Sequence, residues 1–288
     1  MMRIDNLLNL TIDYVFKRVV GREGSELIAT NFISLVLNEK VENINLDCNT
    51  FLDKDITDDK VGILDVKAKF DNGVTCDIEM QVVEKNDIYK RLLFYWSKLY
   101  IQNIKSGNNY NELKRCIVIL IADFELDNLL DIPQYLTRWK IKEEKYGKHV
   151  LTDLLEICII ELPKVHKYNE NKDLDTWVRF IKNPEVINMA SKETTEAINA
   201  AKKILEEMSQ DEHERYFAEL RQKYIMDQKA IADRGLEKGL ERGMKKGIEK
   251  GIEQVVKNML KKGVDIDFIM EVTDLSKEKI ESLKDCDE

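Results

Sequence analysis

Residues 61–83 read VGILDVKAKFDNGVTCDIEMQVV, two runs of alternating apolar and polar residues either side of Asp71-Asn72-Gly73. A period of two marks a half-buried strand, so the stretch predicts a β-hairpin. In the first run Gly62, Leu64, Val66, Ala68 and Phe70 share one face while Asp65, Lys67 and Lys69 share the other. In the second, Val74, Cys76, Ile78, Met80 and Val82 oppose Thr75, Asp77, Glu79 and Gln81. Both apolar faces must point into the same core, which fixes the parity of the pairing. A two-residue Asn72-Gly73 turn pairs Asp71 with Val74 and Val66 with Glu79, mixing the faces, so it is disfavoured despite the strong Asn-Gly signal. A three-residue loop with glycine in the left-handed position pairs Phe70 with Val74, and therefore Asp65 with Glu79.

Two carboxylates on neighbouring strands, with Gln81 two residues along the same face, form an all-oxygen donor set. Mg²⁺ prefers one or two carboxylates and keeps its other positions for water and substrate phosphates. The ionic face can equally be a solvated hairpin surface, where mixed charges are ordinary. The hairpin by itself leaves both open.

Outward from the hairpin, the chain up to about residue 165 has an α/β pattern. Ser25 to Leu37 and Asn86 to Lys105 have helical apolar spacing. The runs CIVILIADF (116–124) and LLEICIIEL (154–162) are short, apolar and rich in β-branched residues, as central strands are. From Asp173 onward the pattern is helical, and all three prolines precede Glu185. With 288 residues, the chain is long enough for one large domain plus an appendage. Its five cysteines, Cys48, Cys76, Cys116, Cys158 and Cys286, form no CxxC or Cys/His pattern, so neither a zinc site nor a disulfide framework is implied, and a reducing cytoplasm fits. The longest apolar run, Cys116 to Ala122, is too short to cross a bilayer, so no membrane partner is expected. A net charge of −9 argues against a generally basic nucleic-acid binder and requires any DNA contact to come from a local cluster.

The ordered set of segments carries a resemblance. ILDVKA (63–68) and IEMQ (78–81), then KRLLFYWSKLY (90–100) and CIVILIADF, resemble the PD-(D/E)XK nuclease superfamily. DYVFKRVVG (13–21), FISLVLNEK (32–40), SGNNYNELKRCIVILIADF (106–124) and the glycine-repeat tail are similar to its Rpn branch of recombination-promoting nucleases and transposase-like proteins. The resemblance implies an α/β, restriction-endonuclease-like core of αβββαβ order with a helical C-terminal extension. It implies an Mg²⁺-dependent DNA endonuclease, with Mn²⁺ or Ca²⁺ as alternative ions. Asp65 then matches the motif aspartate, Glu79 the second acid and Gln81 the position more often held by lysine, while Met80 would offer its backbone carbonyl to the metal. Leu64 replaces the motif proline, harmlessly, since it faces the core. Gln81 is the larger departure, because a neutral amide orients a water but supplies no charge; Lys67 is an accessory candidate for that charge. An acid from the first helix often approaches the metal in this superfamily, so Asp13 and Glu26 are accessory candidates, with Lys17 beside Asp13; an exposed Asp13–Lys17 ion pair is the simpler alternative. Lys85, Lys90, Arg91 and Lys98 form a local positive excess after the motif strand and are the expected DNA contacts. The aromatics between them either stack on bases or serve the core. His149, His166 and His213 have no partner pattern and no assigned role.

Four regions are expected: a nuclease-like core over 1–170, a helical extension over 171–232, the repeat DRGLEKGLERGMKKGIEKGI over 233–252, and a small helical element over 253–288. Five glycines at every fourth position cost about 5 kcal/mol of helix stability, so the repeat alone should fray. It is either a self-association interface, making the protein a homo-oligomer, or a charged spacer. In the last region a short helix, a turn at Thr273-Asp274-Leu275 and a helix capped by Ser276 look like a helix-turn-helix. Lys277, Lys279 and Lys284 are balanced by Glu278, Glu281 and Asp285, which favours a cap or oligomerisation element over a DNA-reading helix. A catalytically inactive, DNA-binding relative acting through these C-terminal helices and self-association is the alternative function.

Overall fold

The structure is a computed structural model and describes residues 7–47, 66–84, 87–104, 107–166, 171–185 and 190–284. Asp65 and Lys85 lie outside these residues. Two helices, α1 (Asp13–Val20) and α2 (Glu26–Leu37), precede strands β1 (Ile44–Leu46), β2 (Val66–Phe70) and β3 (Thr75–Gln81). Helix α3 (Ile88–Gln102) then leads to β4 (Cys116–Ala122), β5 (Leu136–Trp139) and β6 (Leu155–Glu161). These strands form one sheet in the order β1-β2-β3-β4-β6-β5. The β3–β4 and β4–β6 pairs are parallel and the others antiparallel. The αβββαβ order is therefore present, with β5 added as an edge strand. Every residue of β4 and β6 is buried, as strands covered on both faces require; β4 is wholly apolar, and β6 is apolar but for Glu156 and Glu161. β5 leaves no clear mark in the sequence, because LTRW is only four residues long and its last two residues, one on each face, are exposed.

The hairpin has the register that the face argument selects. Val66 pairs with Ile78 and Lys67 with Asp77, and the Phe70 N–H donates to the Val74 carbonyl at 2.8 Å. Gly73 has φ +86°, the left-handed conformation glycine adopts without steric cost.

Two apolar layers sandwich the sheet. On one face Val66, Ala68, Cys76, Ile78 and Met80 pack with α1, α2 and two later helices, α4 (Lys172–Lys182) and α5 (Lys192–Gln210). On the other, Leu92, Tyr95 and Leu99 of α3 cover Val118 and Leu120 of β4 and Ile157 and Ile159 of β6. Local caps set the helix starts: the Asn171 side chain accepts from the Asp173 and Leu174 N–H groups, and Ser191 from Thr194.

Contacts divide the chain into Met1–Met226 and Asp227–Glu288. Helix α6 (Glu212–Lys261) runs unbroken through the glycine repeat, which is flanked there by helix on both sides rather than standing alone. The repeat contains no proline and its other positions are mostly good helix formers, which helps offset the glycine cost. In the second unit the end of α6 packs with α7 (Ile266–Thr273) and α8 (Lys277–Lys284) around Val256, Ile269, Ile280 and Leu283. Asp274 ends α7 in the left-handed conformation, and Ser276 Oγ accepts from the Lys279 N–H at 3.3 Å. No described helix is long and apolar enough to cross a membrane.

Candidate active site

Along β3, Asp77, Glu79 and Gln81 occupy one face at steps of about 7 Å. They face α3, while Met80 points its side chain into the opposite core and could contribute only through its backbone. Asp77 is 0% and Glu79 2% exposed. This corrects the solvated-surface alternative: the acidic face of β3 is covered, and only Gln81, at the strand's end, is partly open. The Gln81 carbonyl accepts from the Asp123 N–H at 2.9 Å, tying the end of β3 to the loop after β4. The carboxyl ends of parallel strands are where open α/β sheets place their ligand crevices. Burial of carboxylates is costly unless cations or hydrogen bonds answer them. Burial first, and then the Asp77 carboxylate, push the neighbouring Cys76 thiol well above its ordinary range.

Asp65 lies outside the described residues, but the observed register is the one that predicts its pairing with Glu79. Gly21 bears on the same region: a Cβ there would meet Val66 side-chain atoms at 2.9 and 3.2 Å. The end of α1 is thus pressed against the strand residue that follows Asp65, and glycine permits this approach.

The accessory candidates are distributed as follows. Lys67 sits opposite Asp77 rather than Glu79, and its Nζ donates to Gln102 Oε1 at 2.8 Å, at the far end of α3. The Asp13 carboxylate is gripped by Arg221 of α6, whose Nε lies 2.8 and 2.9 Å from the two carboxylate oxygens. Glu214, one helical stretch earlier on α6, pairs with Arg18 and accepts from the Tyr14 hydroxyl. Lys17 is half-buried on α1. Glu26 Oε1 accepts from the Gly24 N–H at 3.3 Å, closing the turn before α2. On α3, Lys90 is exposed, Lys98 is half-buried two turns along the same flank, and Arg91 donates to the Tyr95 hydroxyl at 2.7 Å. The aromatics of α3 serve mainly the core: Tyr95 is buried, and Trp96 stacks on Tyr100 while donating to the Cys116 carbonyl.

One buried pair had no sequence signal strong enough to find it. Lys164 Nζ donates to Glu161 Oε2 at 2.7 Å and to the Leu129 and Ile132 carbonyls, and Glu161 Oε1 accepts from the Leu126 N–H. The three-residue spacing was visible, but its burial was not. The pair fastens the loop after β4 to the end of β6, in the cross-strand row that contains Gln81 and Ala122.

Among the described residues, no three His, Cys, Asp or Glu side chains are grouped to hold a metal ion. What β3 offers a hard divalent cation is oxygen: the Glu79 carboxylate and the neighbouring Met80 carbonyl, with the Gln81 amide one step further along the strand.

Comparison with known proteins adds to this geometry. The family model for the C-terminal HTH domain of the Rpn/YhgA-like nuclease family matches residues 257–285, which favours the helix-turn-helix that charge balance had placed second. No curated protein and no solved structure matched the chain. The model described as PD-(D/E)XK nuclease family transposase matches residues 10–235, spanning the sheet, its covering helices and the acidic strand, and the chain therefore belongs to that family.

Proposed function

We propose that the protein is a metal-dependent DNA endonuclease that hydrolyses phosphodiester bonds, acting in recombination, mobile-element movement or defence against phage. The observation that carries this reading is the hairpin register together with the covered acidic face of β3, within a nuclease family. Asp65 and Glu79 would hold the divalent ion, Mg²⁺ by preference and Mn²⁺ or Ca²⁺ as alternatives, with the Met80 carbonyl as a third donor. A bound ion of this kind supplies Lewis-acid polarisation of a phosphoryl oxygen. Gln81, partly open at the strand end, positions a water through its amide. Lys90, Arg91 and Lys98 of α3, together with Lys85, offer positive charge to phosphates. The helix-turn-helix match supports DNA as the partner, the exposed repeat supports self-association, and the cysteine pattern supports a cytoplasmic setting.

Cleavage of plasmid DNA by the purified chain, dependent on added Mg²⁺ and absent in Asp65→Ala, is the expected result. Calorimetry should show divalent binding lost in both Asp65→Ala and Glu79→Ala with the fold intact; unchanged affinity in both would remove the site. A second reading, a DNA-binding relative without nuclease activity, is favoured by Gln81 at a position more often lysine. Duplex binding with no cleavage under any divalent ion would select it.

A further inference from the structure

Beyond β5 the chain leaves the sheet. Residues 140–151 fold back as a short two-stranded ribbon, with Lys142 bridged to Val150 and the Leu151 N–H donating to the Ile141 carbonyl at 3.0 Å. Its turn is closed by the Glu143 N–H to the His149 carbonyl at 2.9 Å and the His149 N–H to the Tyr146 carbonyl at 2.7 Å. Every residue from Arg138 to Leu151 is exposed. In a chain of net charge −9, this segment holds five Lys or Arg against two Glu.

The cations divide by role. Arg138 donates twice to the Val36 carbonyl at the end of α2, and Lys140 lies 3.1 Å from the buried Glu156, so both fasten the root of the ribbon to the core. Lys142, Lys145 and Lys148 have no acidic partner among the described residues. A fixed root, a projecting ribbon and three unanswered ammonium groups are a poor device for stabilising the monomer, but they suit a polyanion. The major groove of B-DNA admits a two-stranded β-ribbon, and Lys residues on its flanks reach the phosphates. Trp139, at the root, shares a cross-strand row with Ile157, Val118 and Asp77. Three strand spacings put it about 14 Å from Asp77. Glu79 is two residues further along β3, about 16 Å from Trp139 and towards the strand ends opposite those from which the ribbon leaves, a span still within one helical turn of DNA, about 34 Å.

We propose that the 140–151 ribbon is a DNA-contacting arm that lies in a groove of duplex DNA with Lys142, Lys145 and Lys148 on the flanking phosphates. The proposal rests on the DNA-cleaving reading for its partner, yet binding and cutting are separable.

The test is fluorescence anisotropy of the full chain with a labelled duplex of about three helical turns, in EDTA so that nothing is cut. Lys142→Ala/Lys145→Ala/Lys148→Ala should weaken binding on the order of tenfold at 0.1 M salt and lower the slope of log K against log salt by about 2.7, at an unchanged melting temperature. Lys145→Glu, a single change at the tip, should shift binding in the same direction should the triple variant fold poorly. Equal affinity and slope in parent and variants overturns the arm, as does failure of the parent to bind duplex, or loss of self-association alone. A parent that binds through the arm yet cuts no plasmid with Mg²⁺ leaves the arm standing and sinks the nuclease reading. Cleavage and binding both untouched by the triple change sink the arm alone.

Discussion

The residue that separates this site from the commoner superfamily pattern is Gln81. A lysine ammonium stabilises developing negative charge, whereas an amide only donates and accepts hydrogen bonds. Gln81 stands at the partly open end of β3, while Glu79 and Asp77 are covered. Gln81→Lys should therefore fold normally and retain or raise plasmid cleavage, and Gln81→Ala should lose rate with little change in metal affinity. A lysine variant that is folded and metal-bound but inert would show the site to be tuned around the neutral amide. The position of these residues was legible because a period-two pattern assigns each side chain to a face. The burial of that face was not, because nothing local in Asp77 and Glu79 says that α3 will lie over them.

At the scale of elements, α1 is held from two sides. Its end abuts Val66 through Gly21, and its start is clamped by Arg221 and Glu214 of α6. Ionic hydrogen bonds in a partly buried setting contribute about 1.5–3 kcal/mol each, so Arg221→Ala should destabilise the first unit by about 2 kcal/mol. A double-mutant cycle in urea with Asp13→Ala should give a coupling of similar size, and additive losses would show that the clamp contributes nothing. The same pair decides the role of Asp13: a metal ligand would lose Mg²⁺ affinity in Asp13→Ala but not in Arg221→Ala. In the repeat of α6, a Cβ added at any of the five glycines meets nothing within 4 Å, and Leu236, Leu240, Met244 and Ile248 are exposed. Gly243→Leu should raise helicity, since leucine gains about 0.8 kcal/mol of propensity. If copies of the helix pack on this strip, the same change should lower the mass seen by light scattering. Unchanged mass with higher circular dichroism would identify the repeat as a spacer.

Across the whole molecule, thiols are set deep in the sheet. Burial first, then the Glu156 charge, push Cys158 from its ordinary value of 9.0 up to about 12, and burial raises Cys76 and Cys116 too. A pKa raised by folding favours the neutral thiol in the native state. The associated stability is fully present below pH 9 and is lost as pH climbs towards 12. Urea midpoints should thus fall between pH 9 and 11, and fall less in Cys158→Ala; a midpoint flat over that window would contradict the assignment. The sequence by itself determined the hairpin, its three-residue turn, the helical tail and the two central strands, because hydrophobic period and glycine conformation are properties of neighbouring residues. It also carried the family resemblance, which lies in the order of short segments. Only the tertiary structure decided that the acidic face is covered, that Asp13 is committed to Arg221 some two hundred positions away, and that Glu161 with Lys164 fastens a loop inside the core. It likewise decided that residues after β5 project as a basic ribbon. Those outcomes depend on which elements meet across the sheet, and burial and charge pairing between distant segments leave no mark on the local pattern of either one.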